Sequence, residues 1–180
     1  MDLRKKKTLR SIRQAFYDLR KQKKLEAITV TELCRKAEIS KAAFYLHYRD
    51  IFDLSEKLQI EVIEAVFSEL ENPMDILSNS AAFMQSFVQA VELESERIRI
   101  VFSDSQAGAL PIHIVRYLKE HIFSQAPHLR DDPKIHVFLT YHIMGGYYAC
   151  MEYPNQRNYK EVLKILEEIQ PSFQNCNNLI

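Results

Sequence analysis

Apolar residues recur every three to four positions along most of this 180-residue chain, the spacing of helices that bury one face, and strict alternation is nearly absent. Leu9, Ile12, Phe16 and Leu19 stand at i, i+3, i+7 and i+10 and predict an amphipathic helix from about Lys5 to Lys23. Val30, Leu33, Cys34 and Ala37 predict a second, short helix. Thr29 followed by Glu32 is a capping-box pattern for its start: the hydroxyl takes the N–H three residues on, and the carboxylate reaches back. After Glu38-Ile39, Ser40 is a good N-cap for a third helix running to about Tyr48. Phe44 and Tyr48, four residues apart on that helix, share an inward face. Asp50 then caps a fourth helix, in which Leu54, Leu58 and Val62 continue the stripe to about Glu71, where Asn72-Pro73 stops it.

The same spacing predicts further helices at about 79–93, 95–103, 111–125, 133–152 and 159–169, punctuated by Pro111, Pro127, Pro133 and Pro154. Arg97 to Phe102 alternates briefly, but no turn-bounded partner strand stands nearby, so a helix is expected there too. The fold class that follows is all-α: a three-helix head in residues 1–50 and a helical body in residues 51–180. The fourth helix is long enough to bridge the two. Ile135 to Met151 is the most apolar stretch, yet it is interrupted by His136, Thr140, His142 and two glycines and falls short of a membrane span. A helix apolar on nearly all sides is buried on two fronts. One front would meet its own core and the other a partner subunit, with Gly145-Gly146 allowing either a close backbone approach or a local kink. The 159–169 helix, with Val162, Leu163, Ile165, Leu166 and Ile169, would complete a four-helix interface across a two-fold axis.

Charge changes the reading of the head. Lys and Arg total 24, as do Asp and Glu, but this neutrality hides an uneven split. Residues 1–50 carry 14 basic and 6 acidic side chains, a net of +8, and residues 51–180 carry 10 and 18, a net of −8. A basic end on an acidic body fits a nucleic-acid-binding head better than a membrane or small-molecule surface. Arg4, Lys5, Lys6, Lys7 and Arg10 open the first helix, where they can meet phosphates or stand as a solvated tail. Three helices with a tight turn between the last two form a helix-turn-helix unit, the alternative being an ordinary three-helix packing motif with a solvated basic face.

Particular residues narrow the choice. Thr29-Val30 is followed by Ala37-Glu38-Ile39-Ser40, then Lys41-Ala42-Ala43-Phe44-Tyr45-Leu46-His47-Tyr48, then Asp53-Leu54. At this spacing Arg10 to Leu54 resembles the DNA-binding domain of the TetR family of bacterial transcription regulators, a match over about a quarter of the chain. The resemblance implies a helix-turn-helix head, a helical-bundle body for ligand binding and dimerisation, and a homodimer joined through its last two long helices, here about 133–152 and 159–169. It further implies a near-palindromic double-stranded operator and repression relieved by a small molecule. Two positions depart from the family pattern. Glu38 stands where the turn usually has Gly; a left-handed conformation there would cost about 1–2 kcal/mol and is expected to reshape the turn. Ile51 stands where a phosphate-binding Lys is common, leaving Arg49 as a substitute.

Roles follow from position. Thr29, Thr31 and Ser40 can offer hydroxyls and helix-start N–H groups to phosphates. Lys41 and Ala42 stand at the front of the third helix, where base edges are reached: Lys41 to a guanine or a phosphate, Ala42 to a thymine methyl. Tyr45 and His47 resemble the family's backbone-contacting pair. In the body, Phe83, Phe87, Phe102, Tyr117, Tyr141, Met144 and Tyr148, with Phe138 and Tyr147, would line a pocket for a small apolar or aromatic ligand, or simply pack a core.

Other classes find little support. The chain has three glycines, at 108, 145 and 146, and no phosphate-binding glycine loop, so no enzyme is expected and no cofactor. The histidines from His113 to His142 fall at no i, i+3 or i+4 pairing that would suggest a metal site. Cys34, Cys150 and Cys176 show no CxxC spacing and, with no signal-peptide pattern, are expected as reduced cytosolic thiols, Cys34 in the core. The alternative from another class is a helical protein-binding adaptor or coregulator with a vestigial head.

Overall fold

Helical spacing of the apolar positions becomes helix throughout the residues that the structure, a computed structural model, describes: 3–152, together with 164, 165 and 168. The elements are α1 (Leu3–Arg20), α2 (Val30–Lys36), α3 (Lys41–Tyr45), α4 (Ile51–Ser68), α5 (Asp75–Ser78), α6 (Ser80–Leu93), α7 (Ser95–Val101), α8 (Ala109–Gln125) and α9 (Pro133–Glu152). Short 3-10 turns lie at Leu25–Ala27, Asp104–Gln106 and Pro127–Leu129. No strand occurs among the described residues, so the fold is all-α. No described helix is long and apolar enough to cross a membrane. The helix expected at 159–169 lies outside the described residues, apart from three positions.

Where boundaries differ from expectation, hydrogen bonding gives the reason. The third helix stops at Tyr45 rather than near Tyr48 because the His47 N–H bonds to the Phe44 carbonyl (2.9 Å), tightening the last turn. The fourth ends at Ser68 in the same way, with Glu69 N–H on the Val66 carbonyl and Leu70 N–H on that of Phe67. The first ends at Arg20, after which Lys23 N–H folds back onto the Leu19 carbonyl (3.0 Å). The single turn of α5, too short to show a period, starts where the Asn72 side-chain oxygen accepts the Met74 N–H at 3.1 Å.

The chain divides into two compact units: Met1–Val62 with Glu94–Gly108, and Ile63–Leu93 with Ala109–Ile180. The first is larger than residues 1–50, because it takes α4 as far as Val62 and recruits the α7 segment from the middle of the chain. Its core is built from Ile12, Phe16, Leu25, Leu33, Phe44 and Leu54, all buried. Polar links hold the α7 segment to α1. The buried Arg20 guanidinium donates to the carbonyls of Lys23 (3.1 Å) and Ser103 (3.4 Å) and to the Ser103 hydroxyl, and stands 3.6 Å from the Asp104 carboxylate. Arg97 donates to the Tyr17 hydroxyl (3.3 Å), Lys21 pairs with Glu96 (2.7 Å), and the buried Gln59 amide donates to the Val101 carbonyl (3.0 Å).

In the second unit α8 packs along α9. Ile114, Leu118 and Ile122 form the buried stripe of one, and Ile135, Leu139 and Ile143 that of the other. Lys119 donates to the Thr140 hydroxyl (3.1 Å) between them. The opposite side of α9 carries Val137, Tyr141 and Tyr148, each more than 60% exposed.

Candidate nucleic-acid interface

The surface centred on residues 29–48 is built by two helix starts and the turn between them. Thr29 has an extended backbone, and its hydroxyl accepts the Glu32 N–H at 3.2 Å, closing the first turn of α2. Glu32 is held mainly by the Lys23 ammonium (2.7 Å), with a smaller contribution from the Thr29 N–H, and both keep its carboxyl below the usual range. Ser40 repeats the device for α3, its hydroxyl accepting the Ala43 N–H at 3.1 Å. Each hydroxyl accepts in its cap and keeps its own O–H to donate, which a phosphate oxygen can use.

Between the caps the chain makes a Schellman turn. The Ile39 N–H reaches the Cys34 carbonyl (3.0 Å) and the Glu38 N–H that of Arg35 (3.3 Å), while Glu38 takes φ 56°. The expected reshaping does not occur: the turn keeps the glycine-type geometry with a glutamate in the left-handed position. Packing beneath explains why it is held. Leu33, Cys34, Ala37, Phe44 and Tyr48 are all buried, and the Phe44 and Tyr48 rings lie 5.5 Å apart. Burial pushes the Cys34 thiol up, as suits a core residue.

Of the seven residues singled out on this surface, Thr29, Thr31, Ser40, Lys41, Ala42 and Tyr45 are exposed and His47 is half-buried. Tyr45 stands edge-on to Phe44 at 5.5 Å, which orients the phenol while leaving it 56% exposed. Beside it the apolar Leu46 is 81% exposed, with no pattern in the sequence to set it apart from its buried neighbours.

Ile51 is buried, so no cation stands at that position. Positive charge comes instead from Arg49 and Lys57, which converge on the buried carboxylate of Asp53. Asp53 accepts the Arg49 N–H (3.0 Å), the Lys57 ammonium (3.0 Å) and a longer contact from the Arg49 guanidinium (3.4 Å). The Arg49 N–H contributes most to holding its carboxyl below the ordinary value. Asp50 caps α4 by accepting the Asp53 N–H at 2.8 Å. Lys57 also donates to the His47 carbonyl (3.1 Å), tying the end of α3 to α4. A lysine on a polar stripe of α4 reads in the sequence as solvated, and nothing local betrays its partner ten residues upstream.

The aromatic set proposed for a ligand is divided. Phe83 and Phe87 stack at 5.6 Å, Phe67 stacks on Tyr117 at 4.4 Å, and Phe67 and Phe87 lie 5.8 Å apart, so these four form one cluster in the second unit. Phe67 was absent from the expected set, although it continues the apolar stripe of α4. Phe102 is buried in the first unit instead, because the α7 segment belongs there. Tyr141 and Tyr148 are exposed on α9 and enclose nothing, and Met144 is half-buried on the same helix. Among the described residues no three His, Cys, Asp or Glu side chains gather as a metal site requires.

Comparison with protein-family models, curated proteins and solved structures returns no match to this chain.

Proposed function

We propose that the chain is a TetR-like transcription regulator that binds a near-palindromic operator as a homodimer and acts as a repressor released by a small molecule in its second unit. The observation that carries this reading is the pair of capped helix starts, α2 and α3, joined by a Schellman turn on a strongly basic segment, with Ser40, Lys41, Ala42 and Tyr45 all outward. In a helix-turn-helix docking, α3 enters the major groove by its front end. Lys41 and Ala42 then meet base edges, while Thr29, Thr31, Ser40, Tyr45 and His47 position the unit on phosphates. Arg49, its side chain 83% exposed, supplies the phosphate contact that Ile51 does not. The α9 face bearing Val137, Tyr141 and Tyr148 would meet a second copy, and the Phe67, Phe83, Phe87 and Tyr117 cluster is where an aromatic ligand would insert.

The test is a gel shift against the DNA flanking the chain's own coding region. A sequence-preferring shift that weakens steeply with salt supports the regulator, and repeating it with extracted metabolites gives the sign of any ligand effect. No shift at low salt favours the second reading, a protein-binding adaptor. That reading draws on Leu46 and Phe52, two large apolar side chains more than half exposed near the end of α3 and the start of α4.

A further inference from the structure

Lys57 sits where the candidate DNA surface is joined to α4, and the use of its charge is unusual for a half-exposed lysine. An ammonium has three N–H bonds to donate. Here one goes to the Asp53 carboxylate (3.0 Å), one to the His47 carbonyl (3.1 Å), and the nitrogen lies 5.1 Å from the centre of the Tyr48 ring, a cation–π distance. Two of the three N–H bonds are thus taken within the protein, and the nitrogen sits beside an aromatic face. Asp53 cannot swing away with its partner, because it is buried and fixed by the Arg49 N–H.

What the ammonium holds is the end of α3. The His47 carbonyl lies in the turn just after the Leu46 C-cap, and the ammonium ties that turn to another helix, α4. At five residues α3 is far too short to persist by itself. Its front is fixed by Ser40 and its middle by buried Phe44, and Lys57 fixes its far end, next to Tyr45 and His47. Arg49 makes the contrast. It shares the same carboxylate, yet its guanidinium makes a single long contact and is otherwise exposed, leaving most of its N–H bonds directed to solvent.

We propose that Lys57 is a positioning residue for the DNA-reading surface: it clasps the C-terminal end of α3 to α4 and so sets the direction of Tyr45 and His47, without itself meeting phosphate. This rests on the DNA-binding reading above. The experiment uses the full chain and a duplex that the wild type selects from a random-sequence pool, with a scrambled duplex beside it. Affinities are measured by fluorescence anisotropy from about 50 to about 200 mM salt, the range over which phosphate contacts declare themselves. Lys57→Met keeps the stem against Tyr48 and removes the donors. It should weaken binding to the selected duplex about tenfold, a loss of the size of one base contact, and barely alter binding to the scrambled one, leaving the salt slope unchanged. Asp53→Asn, which releases the same ammonium from the other side, should lose selectivity in the same way, and Lys57→Arg should restore most of it. Arg49→Gln should instead reduce the salt slope by about one unit on both duplexes. A drop of about one unit in the slope for Lys57→Met would make the ammonium a phosphate contact and overturn the proposal. Selectivity intact in both Lys57→Met and Asp53→Asn would overturn it as well. A wild-type chain that selects no duplex fails before any variant is compared, and that outcome removes the DNA-binding reading itself.

Discussion

Glu38→Gly tests the strain in the turn that presents α3. Glu38 occupies φ 56° at the position after the α2 C-cap, with both Schellman hydrogen bonds in place. A residue with a Cβ in this region is disfavoured by about 1–2 kcal/mol, because the Cβ crowds the following carbonyl. Glycine removes that crowding, but its unfolded chain has more freedom to lose, which returns about 0.4–1 kcal/mol. The net expectation is a stabilisation of about 1 kcal/mol. Since Glu38 is exposed and no hydrogen bond or ion pair is found at its carboxylate among the described residues, few side-chain contacts are lost. Glu38→Ala is the control, for it removes the same charge and keeps the strained backbone.

The chain has no tryptophan, so urea unfolding is followed by far-UV circular dichroism. Glu38→Gly should raise the midpoint of the transition that includes the first unit without changing its slope, the signature of a pure stability change. Glu38→Ala should leave the midpoint near that of the wild type. A glycine variant no more stable than the alanine variant would refute the strain argument. DNA binding divides the same pair differently. On the DNA-binding reading, a carboxylate at a separation of about 8 Å from a phosphate would be repelled by roughly 0.5 kcal/mol in water, so both variants should tighten binding alike. Strain acts on stability and charge acts on affinity, and the two assays separate them.

Lys41→Ala and Tyr45→Phe should each weaken operator binding by about 1–3 kcal/mol where a base contact is lost, and less where a phosphate contact is lost, with unfolding midpoints unchanged; gel shifts with paired melts check this. Asp53→Asn should destabilise the first unit by about 1–2 kcal/mol at neutral pH, the range for losing a charged cap. Because the folded-state pKa of Asp53 is lowered, its contribution is complete above the ordinary aspartate value and fades as pH falls through the folded one; the gap between wild type and Asp53→Asn should therefore narrow below about pH 4, read from urea midpoints across pH. A Cβ at exposed Gly145 would meet no neighbouring atom within 4 Å in the single chain, so Gly145→Leu should leave the fold intact, and on the homodimer reading it should shift dissociation to at least about tenfold higher concentration by sedimentation. A variant that stays as tightly associated as the wild type would remove α9 from the interface.

Local physics explains which elements could be read in advance. Thr29, Ser40 and Asp50 each announce a helix start by a hydrogen bond spanning three residues, and Phe44 and Tyr48 share a face by helical spacing alone. The α7 segment could not be assigned to the first unit, since its links to α1 run from Arg20 to Ser103 and from Tyr17 to Arg97, separations of 83 and 80 residues between ordinary polar side chains. Phe102 falls in the first unit for that reason, since an aromatic residue carries no mark of which core receives it. Phe67 is inconspicuous for the converse reason, as one more position in a regular apolar stripe, although its ring joins Phe87 and Tyr117.

The two departures from the family pattern have different physical consequences. Glu38 leaves the hydrogen bonds of the turn unchanged and adds backbone strain and a negative charge, both costs that a single substitution can lift. Ile51 turns its position over to the core, and positive charge stands instead on Arg49 and Lys57, two residues before it and six after it, around Asp53. With Asp50 beside Asp53 the two cations meet two carboxylates, yet they are unlike in availability: the ammonium donates to two protein oxygens beside the Tyr48 ring, and the guanidinium makes one long contact. On the DNA-binding reading the two cations divide the work, Arg49 meeting phosphate and Lys57 holding the turn after α3. If the Arg49 and Lys57 variants leave both DNA binding and selectivity untouched, that reasoning fails, and the exposed Leu46 and Phe52 become the better guide to what this surface meets.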